Sequence, residues 1–279
     1  MTSKPATLDG YPRARSARVR ATCLYIATKL GDLLDEIVVV GGLVPYLLVE
    51  FDVPPAGPDS HPGTLDLDLG LALAILNEER YRELGARLRD AGLKPAVNDQ
   101  GNARSQTWTS PGPYPVKVDF LIPPTDDTAR AGTVFHIEGD MAAFVTPGLE
   151  LAFEDRRLRE LAGRVPSGAW ASRTIPVCGP GAFTVLKALA FGNRTENKDA
   201  YDLFYVWRGV GIDDVAASLT SLEPSSYVDD ALSVIGRDFR DHDGPGPVAT
   251  AQFLGGLDDN VQADVVGYAD QLLRSLGRP

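Results

Sequence analysis

A chain of 279 residues is long enough for one large domain or two ordinary ones, and its 44% apolar and 23% charged residues are ordinary for a soluble globular protein. The formal net charge of −11 argues against a protein coated in basic surface for nucleic acid, and no apolar run approaches the length of a membrane span. The N-terminus is polar and basic rather than signal-like. Two cysteines, Cys23 and Cys178, lie far apart in apolar contexts, which predicts buried thiols in a reduced, cytoplasmic protein; three widely separated histidines give no sign of a zinc site or a His-based triad.

In chain order, an irregular arm with Pro5, Gly10 and Pro12 precedes an amphipathic helix expected from Ser16, with Val19, Cys23, Ile26, Leu30 and Leu33 at spacings of three and four. Residues 1–30 are locally basic, with Lys4, Arg13, Arg15, Arg18, Arg20 and Lys29 against Asp9. The β-branched run Glu36–Val40 reads as a buried strand, ended by Gly41-Gly42 and followed by a helix over Leu43–Phe51. A Pro- and Gly-rich loop then leads to Thr64-Leu65-Asp66-Leu67-Asp68-Leu69-Gly70, where polar residues alternate strictly with leucines. On a strand that alternation puts Asp66 and Asp68 side by side on one face and the leucines on the other. Two neighbouring carboxylates repel unless a cation sits between them, and a divalent metal is the usual answer.

Asn77 is expected to cap a helix with the stripe Tyr81, Leu84, Leu88 and Ala91, closed by Gly92. A short strand is expected at Gln106–Thr109, and a convincing one over Val116–Ile122 carries Asp119 beside Lys117. Short strand-like pieces follow at Thr133–Glu138, Glu150–Phe153 and Arg173–Cys178. The basic run Arg156-Arg157-Leu158-Arg159, with Arg164 and Arg173, reads either as a local basic face for an anionic partner or, at least as well, as a solvated helix face balanced by Glu150, Glu154, Asp155 and Glu160. Gly179-Pro180 starts a helix carrying Lys187, Asn193–Asn197 forms a polar break, and a further helix spans about Lys198–Trp207. Weaker helical patterns occupy 213–222, 226–236 and 259–276, with a break at Asp243–Pro247. The predicted class is α+β, a mixed-sheet core at 1–125 followed by a mainly helical half at 126–279; nothing in the pattern assigns a role to 210–279.

Nucleotidyl transfer needs carboxylates for metals, backbone N–H groups at a glycine turn for the triphosphate, and a lysine for the nonbridging oxygens. Asp66, Asp68 and Asp119 are the candidate carboxylates, Gly41 and Gly42 the candidate turn and Lys187 the candidate lysine. Each has a simpler reading: a solvated strand face, an ion pair of Asp119 with Lys117, a tight turn, and a lysine whose stem lies along its own helix.

The order Gly-Gly, then Gly63-Thr64-x-Asp66-x-Asp68-Leu69, then Val-x-Val-Asp-Phe-Leu resembles the polymerase-β-type minimal nucleotidyltransferase fold. Lys187, Arg194 and Lys198-Asp199-x-x-Asp202-Leu203 add a resemblance to the AbiEii/AbiGii-type nucleotidyltransferase toxins, which include the mycobacterial MenT proteins. It covers roughly residues 36–207.

The resemblance implies that Gly41 and Gly42 hold the triphosphate, and that Asp66 and Asp68 bind Mg²⁺ in a two-metal site with Asp119 as third carboxylate. It implies that Lys187 reaches the phosphates, Asp199 orients Lys187, and Arg194 and Lys198 contact nucleotide or RNA. The implied substrates are an NTP and the 3′ acceptor end of tRNA, with an antitoxin as partner. The chain departs from the pattern in having no Ser or Thr after Gly41, and Thr64 is the nearest substitute. The alternatives are transfer to a small hydroxylated molecule such as an aminoglycoside, and a non-catalytic nucleotide-binding protein on the same fold.

Overall fold

The computed structural model describes residues 4–49, 61–72, 78–98, 100–125 and 132–278. The chain divides into two compact units: a helical unit of Met1–Arg13, Pro45–Gly63 and Gly179–Pro279, and a sheet unit of Ala14–Val44 and Thr64–Cys178. The architecture is α+β, as the patterning predicts.

In the sheet unit, α1 (Arg13–Leu30) precedes β1 (Ile37–Val40), whose four residues are all buried. The strands β2 (Asp66–Leu71), β3 (Lys94–Val97), β4 (Ala103–Thr109) and β5 (Lys117–Ile122) follow, with α3 (Glu78–Asp90) between β2 and β3. Then come β6 (Val134–Glu138), β7 (Met141–Val145), a single helical turn α4 (Leu151–Glu154), β8 (Arg156–Arg164) and β9 (Trp170–Cys178). Among the described residues these nine strands form one sheet in the order β3-β4-β5-β2-β1-β9-β8, with β7 joining β5 and β6 joining β7. Strand β2 runs antiparallel to β1 and parallel to β5, so it is central and its alternate residues see different surroundings. Leu67, Leu69 and Leu71 are all buried, each contributing roughly 1.5–3 kcal/mol, and this fixes which face carries the aspartates.

In the helical unit, α5 (Pro180–Arg194) starts with Pro180 in its first turn after Gly179, where the missing N–H costs nothing. Thr195, with φ 51°, stops it, and α6 (Asn197–Val210) begins two residues later. The helices α7 (Ile212–Ser221), α8 (Ser226–Asp238), α9 (Pro245–Leu254) and α10 (Asp259–Ser275) complete the unit, packing α5 on α6, α7 and α8, and α9 on α6 and α10. The Asp258 carboxylate caps α10 by accepting from the N–H groups of Asn260 and Val261.

Four local expectations are corrected. The basic run at Arg156–Arg164 is a strand, not a helix face, because it pairs along its whole length with β9. Glu150–Phe153 is a helical turn rather than a strand. The Gly244–Pro247 stretch does not separate helices but starts α9, with Gly244 as its cap and Pro245 at its first position. The helix expected over Leu43–Phe51 is the short α2 (Val44–Leu48), with Glu50 and Phe51 outside the described residues. The Asn77 cap also lies outside them. The division expected near residue 125 falls inside the sheet unit, since β6, β7, β8 and β9 hydrogen-bond into the same sheet as β5. Among the described residues no helix is long and apolar enough to cross a membrane.

Candidate functional site

The strand register assembles the first group of residues. Asp68 lies opposite Asp119 across the parallel β2–β5 pair, and Thr107 of β4 lies opposite Asp119 on the other side. Val40, the last residue of β1, is the partner of Asp68. One row across the sheet is therefore Thr107, Asp119, Asp68 and Val40. The next row on the same face carries Thr109, Lys117 and Asp66, because strand residues two apart share a face. The three predicted carboxylates thus occupy one face of two adjacent strands, Asp66 and Asp68 on β2 and Asp119 on β5.

Hydroxyls hold two of them. Thr64 Oγ1 donates to Asp66 Oδ1 at 2.9 Å, and Thr107 Oγ1 donates to Asp119 Oδ1. Asp68 meets the glycine turn instead: Gly41 has φ 69°, and its missing Cβ leaves the space that the Asp68 carboxylate fills. Gly42 and Leu43 continue this turn, both buried, with no hydroxyl at the position where the motif calls for one. Among the described residues no three His, Cys, Asp or Glu side chains stand close enough together to hold one metal ion. Thr107 was not singled out from sequence, although its place on a period-two strand beside Asp119 carried the signal.

The helical unit gathers the second group. Lys187 Nζ lies 2.7 Å from Asp199 Oδ1 and 2.8 Å from Asp202 Oδ2. Arg194 Nε donates to Asp199 Oδ2 at 2.7 Å, and Lys198 Nζ donates to both oxygens of Asp202 at 2.6 and 2.8 Å. His61 Nε2 is 2.8 Å from Asp202 Oδ1, while its Nδ1 accepts from the Gly63 N–H at 3.1 Å. That backbone donor assigns the proton to Nε2, so a neutral imidazole donates to Asp202. Asp202 therefore satisfies two lysines and a histidine, and Asp199 a lysine and an arginine.

Desolvation opposes every charge here, and neighbours decide the outcome. Burial disfavours the Lys187 ammonium, but Asp199 and Asp202 outweigh it and hold it charged above the ordinary lysine range. Burial also disfavours both carboxylates. Lys187 and Lys198 nevertheless keep Asp202 well below the usual range, and Lys187 and Arg194 lower Asp199. Lys198 goes the other way, lowered by burial with Lys187 adding to it. Burial, with Lys198 nearby, pushes His61 down to about 4. Three cations, Lys187, Arg194 and Lys198, face Asp199, Asp202 and a neutral imidazole, with Glu196 a further 3.9 Å from Arg194. The expected Lys187–Asp199 contact is present, as is the Lys198–Asp202 pair weighed against it. His61 had no readable signal, since it sits in an aperiodic Pro- and Gly-rich stretch.

No family model matches the chain, and no curated protein does. The chain is similar to a solved structure, the crystal structure of an antigenic nucleotidyltransferase-like protein from Paracoccidioides brasiliensis. The TM-score is 0.41 at 14% sequence identity, over 78% of this chain and 94% of that one.

Proposed function

We propose that this chain is a Mg²⁺-dependent nucleotidyltransferase of the AbiEii/MenT type that moves a nucleotide from an NTP to the 3′ acceptor end of tRNA. The observation that carries the reading is the pairing of Asp68 with Asp119 on adjacent strands, with Asp66 on the same face and Gly41 against Asp68. An all-oxygen donor set of this kind suits Mg²⁺, which is commonly held by one or two carboxylates plus substrate phosphates rather than by a closed protein cage. Asp66, Asp68 and Asp119 are the residues proposed to hold it, at most two of them on one ion as the side chains stand among the described residues, with substrate phosphates completing its shell. When bound, the metal would supply charge stabilisation at the transferring phosphorus.

The protein's own groups do the remaining work in this reading. The Gly41-Gly42 turn offers backbone N–H groups to the triphosphate, with Thr64 fixing Asp66 rather than replacing the absent turn hydroxyl. Asp119, held by Thr107, is the candidate acceptor of the proton released by the attacking hydroxyl. Lys187 keeps one N–H after serving Asp199 and Asp202, and that proton is the one proposed to meet phosphate oxygen. Arg194 and Lys198 are proposed to add charge towards the nucleotide or RNA. A cytoplasmic toxin so built would be expected to have a cognate antitoxin.

The test incubates the protein with each labelled NTP, Mg²⁺ and total tRNA. Label on tRNA that disappears in Asp68→Asn supports the reading; a folded, NTP-binding protein that labels no RNA overturns it. The net charge of −11 favours one second reading, transfer to a cationic aminoglycoside. Salt separates the two, because RNA binding weakens steeply as counterions compete.

A further inference from the structure

The sheet unit contains a cleft of about 400 Å³ that shares no residue with the carboxylate face. One wall is a stripe of α1, Arg18, Thr22 and Tyr25, at helical spacings of four and three. The second is the loop after β4 that carries Tyr114, and the third is the tip of the β8–β9 hairpin at Pro166 and Ser167. The volume lies within the range of small-molecule sites, about 300–1,000 Å³.

The walls are built rather than loose. Ser110 ties its loop twice to Val116: its N–H donates to the Val116 carbonyl and its Oγ accepts the Val116 N–H, both at 2.9 Å. Within that closed loop Tyr114 stands between Pro113 and Pro115, so its backbone has little freedom to lose on binding. Tyr25 is pinned at its far end by a 2.9 Å hydrogen bond from its hydroxyl to the Ala91 carbonyl. Thr22 is buried at the base of this wall.

The charge is one-sided. In a chain of net −11 the cleft is lined by an arginine and by no acid. The Arg18 guanidinium stacks 4.9 Å from the centre of the Tyr114 ring and has no carboxylate partner among the described residues, while Tyr114 remains 67% exposed. Lys29 Nζ stands 5.4 Å over the Tyr25 ring. Aromatic faces with guanidinium planes are the surfaces on which unpaired bases stack, and an unpaired arginine is the natural partner of a phosphate.

We infer that this cleft binds a single unpaired nucleotide, its base stacked at Tyr114 and Arg18 and its phosphate towards the Arg18 charge. The site stands apart from Asp66, Asp68 and Asp119, and does not depend on the reaction they serve. The nucleotide has two possible sources, a free nucleoside monophosphate or the unpaired end of an RNA strand.

Calorimetric titration of the full chain in EDTA with uridine 5′-monophosphate, uridine, and a short single-stranded RNA tests the inference and its source. EDTA removes any metal-dependent binding at the carboxylates. Either phosphate-bearing probe should bind, with affinity falling at least about tenfold in both Arg18→Ala and Tyr114→Ala. Saturation by the monophosphate identifies a free nucleotide; binding confined to the RNA identifies a strand end. Uridine should bind more weakly than its monophosphate and be insensitive to added salt. Photocrosslinking with 5-iodouridine 5′-monophosphate, or the same base in the RNA, should label Tyr114. Affinity unchanged in both folded variants, or crosslinks that map elsewhere, overturns the inference, as does failure of both probes to bind.

Discussion

The Asp68 carboxylate fills the space that a side chain on Gly41 would occupy. The glycine is needed twice, once for its φ of 69° and once for this close approach. Gly41→Ala should therefore destabilise the protein by about 1–2 kcal/mol from the left-handed backbone alone, and also displace Asp68. Gly101→Ala is the control, with φ 84° and open space around the position, so it carries the strain without the clash. Denaturant unfolding should show a larger loss for Gly41→Ala, and transfer activity should fall in that variant only.

The register of Thr107, Asp119 and Asp68 ranks three substitutions. Asp68→Asn and Asp119→Asn keep shape and remove charge, so each should lower transfer by about 10²–10³-fold with little change in melting temperature. Thr107→Val removes only the hydroxyl that holds Asp119 and should cost about tenfold. Steady-state rates across a Mg²⁺ titration check this order. Equal losses from Thr107→Val and Asp119→Asn would contradict it.

Lys187 should be a stability residue as well as a candidate for chemistry. Lys187→Met leaves Asp199 and Asp202 buried with one fewer cation, and breaking a buried pair in this way costs about 3–5 kcal/mol. Replacing the pair together, as Lys187→Met with Asp199→Asn, should cost less than the sum of the single changes. Denaturant midpoints for the full cycle measure the coupling. An inactive Lys187 variant therefore says little about phosphate contact until its unfolding curve is known.

His61 gives the protein an acid-sensitive element. Its imidazole is held near 4 when folded and returns to 6.5 when unfolded, so below pH 6.5 the unfolded chain takes up a proton that the folded one refuses. The stability tied to neutral His61 is fully present above about pH 6.5 and is lost as pH falls towards 4, on the order of 3 kcal/mol. Asp199 and Asp202 act in a lower window, below the ordinary carboxylate value of 3.8. His242, raised by Asp243, has the opposite sign. Subtracting the pH–stability profile of His61→Gln from that of the parent chain isolates the contribution, which should appear between pH 6.5 and 4.

Sequence patterning exposed the parts of this fold that depend on neighbours close along the chain. The Asp66–Leu71 alternation fixed the strand and its acidic face, and Gly179-Pro180 fixed the start of α5. The Lys187–Asp199 contact was legible because a short break returns α6 beside α5. Features set by distant partners were not. Arg156–Arg164 is too polar to announce a strand, and only its pairing with Trp170–Cys178 makes it one. The Gly- and Pro-rich Gly244–Pro247 reads equally as an end or a beginning. The partnership of His61 with Asp202 spans 141 residues and leaves no local trace.

That span bears on the order in which the protein can be completed during synthesis. Residues 45–49 and 61–63 leave the ribosome between β1 and β2, yet they group with helices that begin only at Pro180. The sheet unit has all its strands once Cys178 has emerged, whereas His61 must wait for Asp202 to be translated. A product ending at Cys178 would retain every carboxylate of the candidate site but strand this segment without its partners. Chain length, rather than any local signal, decides when His61 can meet Asp202.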